Sequence, residues 1–216
     1  MPTGAAQFYV WRNGDWVFTC SGTVVGPRIV LTAAHCLEAG MDSSKYLVRL
    51  GDTSRASGYS IRVGALATRF DLALAFLRTD ISAYPGVKHV NISAGADGDI
   101  RAGQRATVYG WGKTSQWGDL SRVLKNADVR ITDDAEDTYG GPAYRVFTRD
   151  DARIHKGDSG GPMMKTLPDG QTVQVGVMSK SDAPVDPSSP YAKIARFDPE
   201  NTEWLARLGV PLDQEW

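Results

Sequence analysis

Short apolar runs rich in Val, Ile, Leu, Phe and Tyr recur along the chain, separated by clusters of turn residues. QFYVW, WVFTCSGTVV, RIVLTAA, YLVRLG, YSIRVGAL and DLALAFL fill the first half, and RATVYGWG, KNADVRIT, YRVFT, GPMMKTL, TVQVGVMS and YAKIARF the second. Their shortness, their β-branched and aromatic content, and breakers such as RNGD, VVGPR, LPDG and DAPVDPSSP identify strands rather than helices. About a dozen strands in two sets predict an all-β chain of two antiparallel barrels or sandwiches. The polar, Gly-rich stretch NISAGADGDIRAGQ (91–104) is the expected linker, dividing the chain into 1–95 and 96–216. After Pro199 the pattern changes. ENTEWLARLGV has helical spacing, with Trp204, Leu205 and Leu208 on one face and Gly209 where a C-cap belongs. No internal repeat is legible.

Composition narrows the function classes. The chain has 216 residues, enough to bury a substantial core, and 24 basic against 25 acidic side chains give a net charge of −1. No run of like charges stands out, which removes the electrostatic footprint of a nucleic-acid or polybasic membrane binder. No apolar stretch approaches the roughly 20 residues that cross a bilayer. The N-terminus MPTGAAQFYVW has neither the charged nor the apolar region of a signal peptide, so any signal or pro-segment is expected to lie outside this chain. There are two cysteines, Cys20 and Cys36, each at the end of an apolar stretch and neither in a Cys/His cluster. No metal site follows from them. Two readings remain, ordinary buried thiols of a cytosolic protein or a disulfide closing a loop. The disulfide is the favoured one, and it implies an oxidising compartment.

One loop points to chemistry. KGDSGGPMM (156–164) puts Gly, Asp, Ser, Gly, Gly and Pro directly before an apolar run. Such a loop could merely connect strands. Alternatively it holds Ser159 as a nucleophile, with backbone N–H groups aimed at an incoming oxygen. A serine hydroxyl at neutral pH is a weak nucleophile, so the second reading needs a base and an orienting carboxylate. Of the three histidines, His89 follows a Pro-Gly turn in YPGVKHV and reads as a surface residue. His155 lies four residues before Ser159 on the same loop and is better placed to line a site than to act as base. His35 ends an apolar run in LTAAHC, beside a cysteine that would pin it. Asp71 heads the almost wholly apolar DLALAFL, where a charge must be paired. Its partner is the His35 ring N–H, or alternatively Arg69 or backbone amides.

LTAAHC, DLALAFL and GDSGGP, in that order, resemble the His, Asp and Ser motifs of the trypsin/chymotrypsin-like serine proteases. VRLG, VYGWGKTS, VLKNADVRITDD, VGVMS, YAKIARF and NTEWLARL also resemble family segments in the expected order, so the likeness runs from about Phe8 to Leu208. With few cysteines the chain is most similar to short, bacterial-type members. The resemblance implies two six-stranded antiparallel Greek-key β-barrels with a C-terminal helix, and a disulfide between Cys20 and Cys36. It implies a catalytic triad of His35 and Asp71 on the first barrel and Ser159 on the second. It further implies an oxyanion hole formed by the N–H groups of Gly157 and Ser159.

The expected function is a secreted, extracellular serine endopeptidase acting through an acyl-enzyme. It would work as a monomer on protein or peptide substrates, with protein inhibitors as further partners and no cofactor, metal, nucleic acid or membrane. A catalytically silent binding protein on the same fold is the alternative, disfavoured because all three triad residues and both oxyanion positions are present.

The departures from the family matter too. The chain opens MPTGAA rather than with an insertion motif, so Asp158 is expected to pair with an internal Arg or Lys. The stretch from Thr53 to Phe70 holds no carboxylate, so no calcium loop is recognisable. Counting back from Ser159 places Arg153 at the base of the primary pocket, bordered by His155, Lys156, Ser179, Lys180 and Ser181. That set favours an acidic residue before the scissile bond. The rival is a basic preference, should Asp150 or Asp151 turn inward.

Overall fold

In the computed structural model, residues 4–93, 100–183 and 185–213 are described. The expected domain boundary at 95/96 lies outside them. Six strands close the first barrel: β1 (Ala5–Arg12), β2 (Asp15–Gly26), β3 (Ile29–Ala33), β4 (Tyr46–Leu50), β5 (Tyr59–Arg69) and β6 (Leu72–Leu77). Around the barrel they run β1-β2-β3-β6-β5-β4, all neighbours antiparallel. The β1–β2 hairpin turns on Asn13-Gly14, with Arg12 opposite Asp15. Asn-Gly is the dipeptide that suits a two-residue turn of this hand. The continuous apolar runs of β3 and β6 are buried along almost their whole length.

A short strand β7 (Ile92–Ser93) precedes the second barrel, which is built from β8 (Arg105–Gly110), β9 (Lys125–Glu136), β10 (Pro142–Thr148), β11 (Pro162–Thr166), β12 (Thr172–Ser181) and β13 (Tyr191–Arg196). The order β11-β8-β9-β10-β13-β12 closes through β11–β12 pairing. Read from its first strand, this is the same circular order as the first barrel. The two halves therefore share a topology that the sequence does not display. Here β9 alternates buried and exposed positions, as a strand with one face on the core must.

Helix α1 (Pro199–Arg207) begins with Asp198 as N-cap, its carboxylate accepting from Asn201 N at 2.8 Å, and with Pro at the first turn. It stops at Gly209, where Val210 N donates back to Leu205 O at 3.1 Å. Leu205 is fully buried, and Trp204 and Leu208 pack on the same core. That core belongs to the first barrel, so the end of the chain closes back over its beginning. A last short strand, β14 (Leu212–Asp213), pairs with β7. The disulfide Cys20–Cys36 is formed, and it links β2 to the turn that follows β3.

A third cluster joins the barrels, with Tyr9, Phe18 and Leu47 from one side meeting Trp111 and Leu124 from the other. Trp111 is fully buried, and its indole N–H donates to Thr53 O at 2.8 Å. Phe18 and Leu120 of this cluster lie against Gly157, on the loop that carries Ser159.

Candidate active site

His35 lies on a single 3-10 turn (Ala34–Cys36) directly after β3. The Cys20–Cys36 bridge anchors that turn from one side. From the other side, Ala34 N donates to Asp71 O at 2.8 Å and His35 N to Asp71 Oδ1 at 2.9 Å. Backbone and ring are thus aligned on the same carboxylate. His35 Nδ1 lies 3.0 Å from Asp71 Oδ1 and 2.9 Å from Oδ2. The imidazole keeps 27 % of its side-chain surface exposed while the carboxylate has none, so the free ring edge faces the cleft.

Asp71 is the second residue of the two-residue turn between β5 and β6, with Arg69 opposite Leu72. The first, Phe70, takes φ 48°, a left-handed backbone that costs a bulky residue about 1–2 kcal/mol. The distortion places the carboxylate beneath His35. Arg69 does not pair with Asp71. Its guanidinium turns to α1, bonding Asn201 Oδ1 at 3.0 Å and Glu200 at 2.8 Å.

Two further residues hold Asp71, both from the second barrel. The Ser179 hydroxyl donates to Asp71 Oδ2. It can do so because a β-bulge between Met178 and Lys180 leaves Ser179 out of register and turns its side chain inward. Asp137, 6 % exposed, accepts Asp71 N at 3.1 Å, Tyr139 N at 2.8 Å and Gly141 N at 2.9 Å. Thr138 completes the clamp, its N–H and hydroxyl lying 3.1 and 3.0 Å from Ser179 Oγ. Neither Asp137 nor Thr138 was expected from the sequence. The only hint was the sharp Gly-Gly turn after DDAEDTY.

Asp137→Ala strips the acceptor from three amides, each costing roughly 1–3 kcal/mol when buried unpaired. We expect a clearly lowered melting temperature and a reduced kcat on a small ester. An unchanged melting curve would remove Asp137 from the supports of Asp71.

The Ser159 loop is pinned against the first barrel. Ser21 N donates to Ser159 O at 2.9 Å and Ser21 Oγ to Gly157 O at 2.9 Å. Gly157 and Gly160 have φ of 98° and 81°, and a Cβ at Gly160 would overlap Thr32 Oγ1 and Ser21 O. Glycine is therefore what lets the loop press onto the end of β3, just before His35. Among the described residues, the N–H groups of Gly157 and Ser159 donate to no protein acceptor, whereas Gly160 N donates to Met178 O at 2.8 Å and Asp158 N to His155 O at 3.1 Å.

The expected cation on Asp158 is not there. Among the described residues no Arg or Lys forms an ion pair with it. Its two oxygens instead accept Gly112 N at 2.8 Å and His155 N at 3.0 Å. Gly112 has no Cβ to obstruct this, because any Cβ there would overlap the carboxyl. Burial pushes the Asp158 carboxyl up to about 6, against the pull of the two amides and of Lys125.

A carboxyl raised in the folded state binds its proton more tightly there than in the unfolded chain, so its contribution to stability is fullest below the unfolded value and is lost as pH rises through 6. The melting temperature of the wild type relative to Asp158→Asn should therefore rise as pH falls from 7 towards 4. A difference independent of pH would contradict the assignment.

Arg153 donates to the carbonyls of Ala152 (2.7 Å) and Asp150 (3.4 Å), and makes no ion pair with Asp150 or Asp151. It lines a cavity of ≈ 550 Å³ together with Ile154, His155, Asp158 and Lys113. Burial, with Arg153 and Lys113 nearby, holds the His155 imidazole below its ordinary range. Lys156 and Lys180 are exposed. The Ser181 hydroxyl donates to Ile154 O at 2.6 Å, which stitches the 153–156 segment to the end of β12. Ser179 was expected among the substrate-binding residues. Its buried hydroxyl is engaged by Asp71 and Thr138.

Comparison with known proteins agrees with this arrangement. The trypsin family model matches residues 5–199. The chain is 30% identical over 209 residues to trypsin epsilon of Drosophila erecta, covering 87% of this chain and 77% of that protein. It is 30% identical over 176 residues to trypsin alpha-4 of Lucilia cuprina, covering 73% and 67%. Against granzyme M of Homo sapiens it is 31% identical over 172 residues, covering 71% and 65%. A match over nearly the whole chain, on two barrels of identical strand order, makes this protein a member of the trypsin family of serine endopeptidases.

Proposed function

We propose that His35, Asp71 and Ser159 are the catalytic triad of a secreted endopeptidase, with the N–H groups of Gly157 and Ser159 as its oxyanion hole. One observation carries this reading. The base is already oriented by a fully buried carboxylate, while the two N–H groups on the serine loop have no protein partner among the described residues.

The chemistry follows the Ser-His-Asp scheme of acyl transfer. Ser159 Oγ attacks the scissile carbonyl carbon as His35 Nε2 takes its proton. The carbonyl π electrons move onto oxygen, and that oxyanion accepts from Gly157 and Ser159. Collapse breaks the C–N bond, and His35 gives its proton to the departing amine. Water then repeats the sequence on the acyl-enzyme and frees the acid and Ser159. Asp71 accepts the Nδ1–H throughout, which fixes the tautomer and stabilises the imidazolium. An oxyanion donor in such a site is worth about 2.7–4 kcal/mol at the transition state.

For specificity we propose an acidic residue before the scissile bond, with a basic preference as the rival. Arg153, His155 and Lys113 line one cavity and support a positive field there, with the exposed Lys156 and Lys180 on the two segments joined at Ser181–Ile154, while Asp151 in the same lining supports the rival. Secretion is supported by the formed disulfide.

Two measurements test this reading. A fluorophosphonate probe should add once per chain, at Ser159. A peptide-library digest read by mass spectrometry should show cleavage mainly after Asp and Glu. No labelling would leave only a silent fold, and cleavage after Lys and Arg would remove Arg153 from the pocket floor.

A further inference from the structure

The second barrel carries a cavity that peptide hydrolysis does not use. It measures ≈ 740 Å³ and lies where the segment before β7 meets β8, the end of β10 and the β11–β12 hairpin. None of its lining residues belongs to the triad, the oxyanion hole or the proposed specificity segments. Among the described residues, Lys88, Arg105 and Arg149, with His89, face one carboxylate, Asp128. In a chain whose net charge is −1 this is a strong local excess of cations.

Among the described residues, no carboxylate lies within ion-pair distance of Lys88, Arg105 or Arg149. Arg149 is half-buried, and no acidic side chain among the described residues pairs with it. Asp128 is engaged by the Thr107 hydroxyl at 3.2 Å, and Lys165 donates to Gln104 Oε1 at 2.8 Å. Cations spread over three separate segments of one concave surface fit a ligand with several anionic groups better than a lone ion.

The rest of the lining narrows the ligand. The side-chain amides of Asn91 and Gln171 offer both donors and acceptors to hydroxyl groups. Tyr109 is the one Phe, Tyr or Trp in the lining, and it is half-buried. Single-stranded nucleic acid needs exposed rings on which bases stack. A membrane needs an apolar face, whereas Val90 and Met164 are buried here.

We propose that this cavity binds a sulfated oligosaccharide, with sulfates meeting Lys88, Arg105 and Arg149 and sugar hydroxyls meeting Asn91 and Gln171.

Calorimetric titration with a size-defined heparin hexasaccharide tests this, with ester hydrolysis followed in parallel. Wild type should bind one hexasaccharide per chain, more weakly as salt rises. Arg105→Gln/Arg149→Gln should bind at least tenfold more weakly while its ester kcat/KM stays unchanged. The exposed Lys88→Gln provides a second, milder variant should the double one melt early, and a several-fold loss is expected. The proposal is overturned if wild type does not bind, or if the variants that fold bind as tightly as wild type. It is equally overturned if the desulfated hexasaccharide, or a single-stranded oligonucleotide of equal charge, binds as well as heparin. Ester hydrolysis reports on the triad separately, so failure of one reading leaves the other standing.

Discussion

Ser159→Ala abolishes peptide and ester hydrolysis, lowering kcat by about a millionfold, the scale on which removal of the serine from such a triad acts. The fold is expected to survive. What ties residue 159 to the first barrel is its backbone carbonyl, which accepts Ser21 N, and its hydroxyl makes no hydrogen bond among the described residues. Alanine therefore leaves no buried polar group unpaired and removes only the nucleophile. The fluorophosphonate adduct should disappear with the activity, while the melting curve stays close to that of the parent. The residual rate should still exceed that in water, because the oxyanion donors remain. Near-wild-type turnover in this variant would sink the assignment of the whole site.

The second large effect is at Asp71. Asp71→Asn should lower kcat by about ten-thousandfold with little change in KM, since the residue orients the base and touches no substrate. The carboxylate accepts from His35 N, His35 Nδ1 and Ser179 Oγ, all donors. An amide offers one acceptor and one NH₂ at these positions, so one donor must lose its partner. If the NH₂ faces the ring, Nδ1 becomes the acceptor and the proton moves to Nε2, where it blocks uptake of the Ser159 proton. Stability should also fall, because a buried donor is left unsatisfied. Rate assays paired with melting curves separate the two consequences. A drop of less than tenfold in kcat would mean that Asp71 does not set the His35 tautomer.

The contrast between Asp71 and Asp137 shows which parts of the site are local. Asp71 could be picked out because it heads an apolar run in which a charge must find a partner. Asp137 sits in DDAEDTYGG among other carboxylates, and nothing in that string separates it from its neighbours. The Asp158 partner is a similar case. A cation was the expectation there, but two amides meet the carboxylate, one of them from Gly112, 46 residues away.

By itself the sequence determined most of the strands, the turn at RNGD, a helix after Pro199 and the order of the His, Asp and Ser motifs. These rest on periods, turn residues and caps that act over a few positions. Only the tertiary structure decided that both barrels share one circular strand order, and that Arg69 serves the helix rather than Asp71. It also decided that Asp137, 66 residues from Asp71, and Ser179, 108 residues away, complete its shell. The basic cavity on the second barrel belongs with these, since its cations are scattered from Lys88 to Lys165. The physical reason is the same in each case. Burial pattern and backbone preference are written locally, whereas a hydrogen-bond or charge partner is chosen by which strands closure of the barrels brings within about 3 Å of one another.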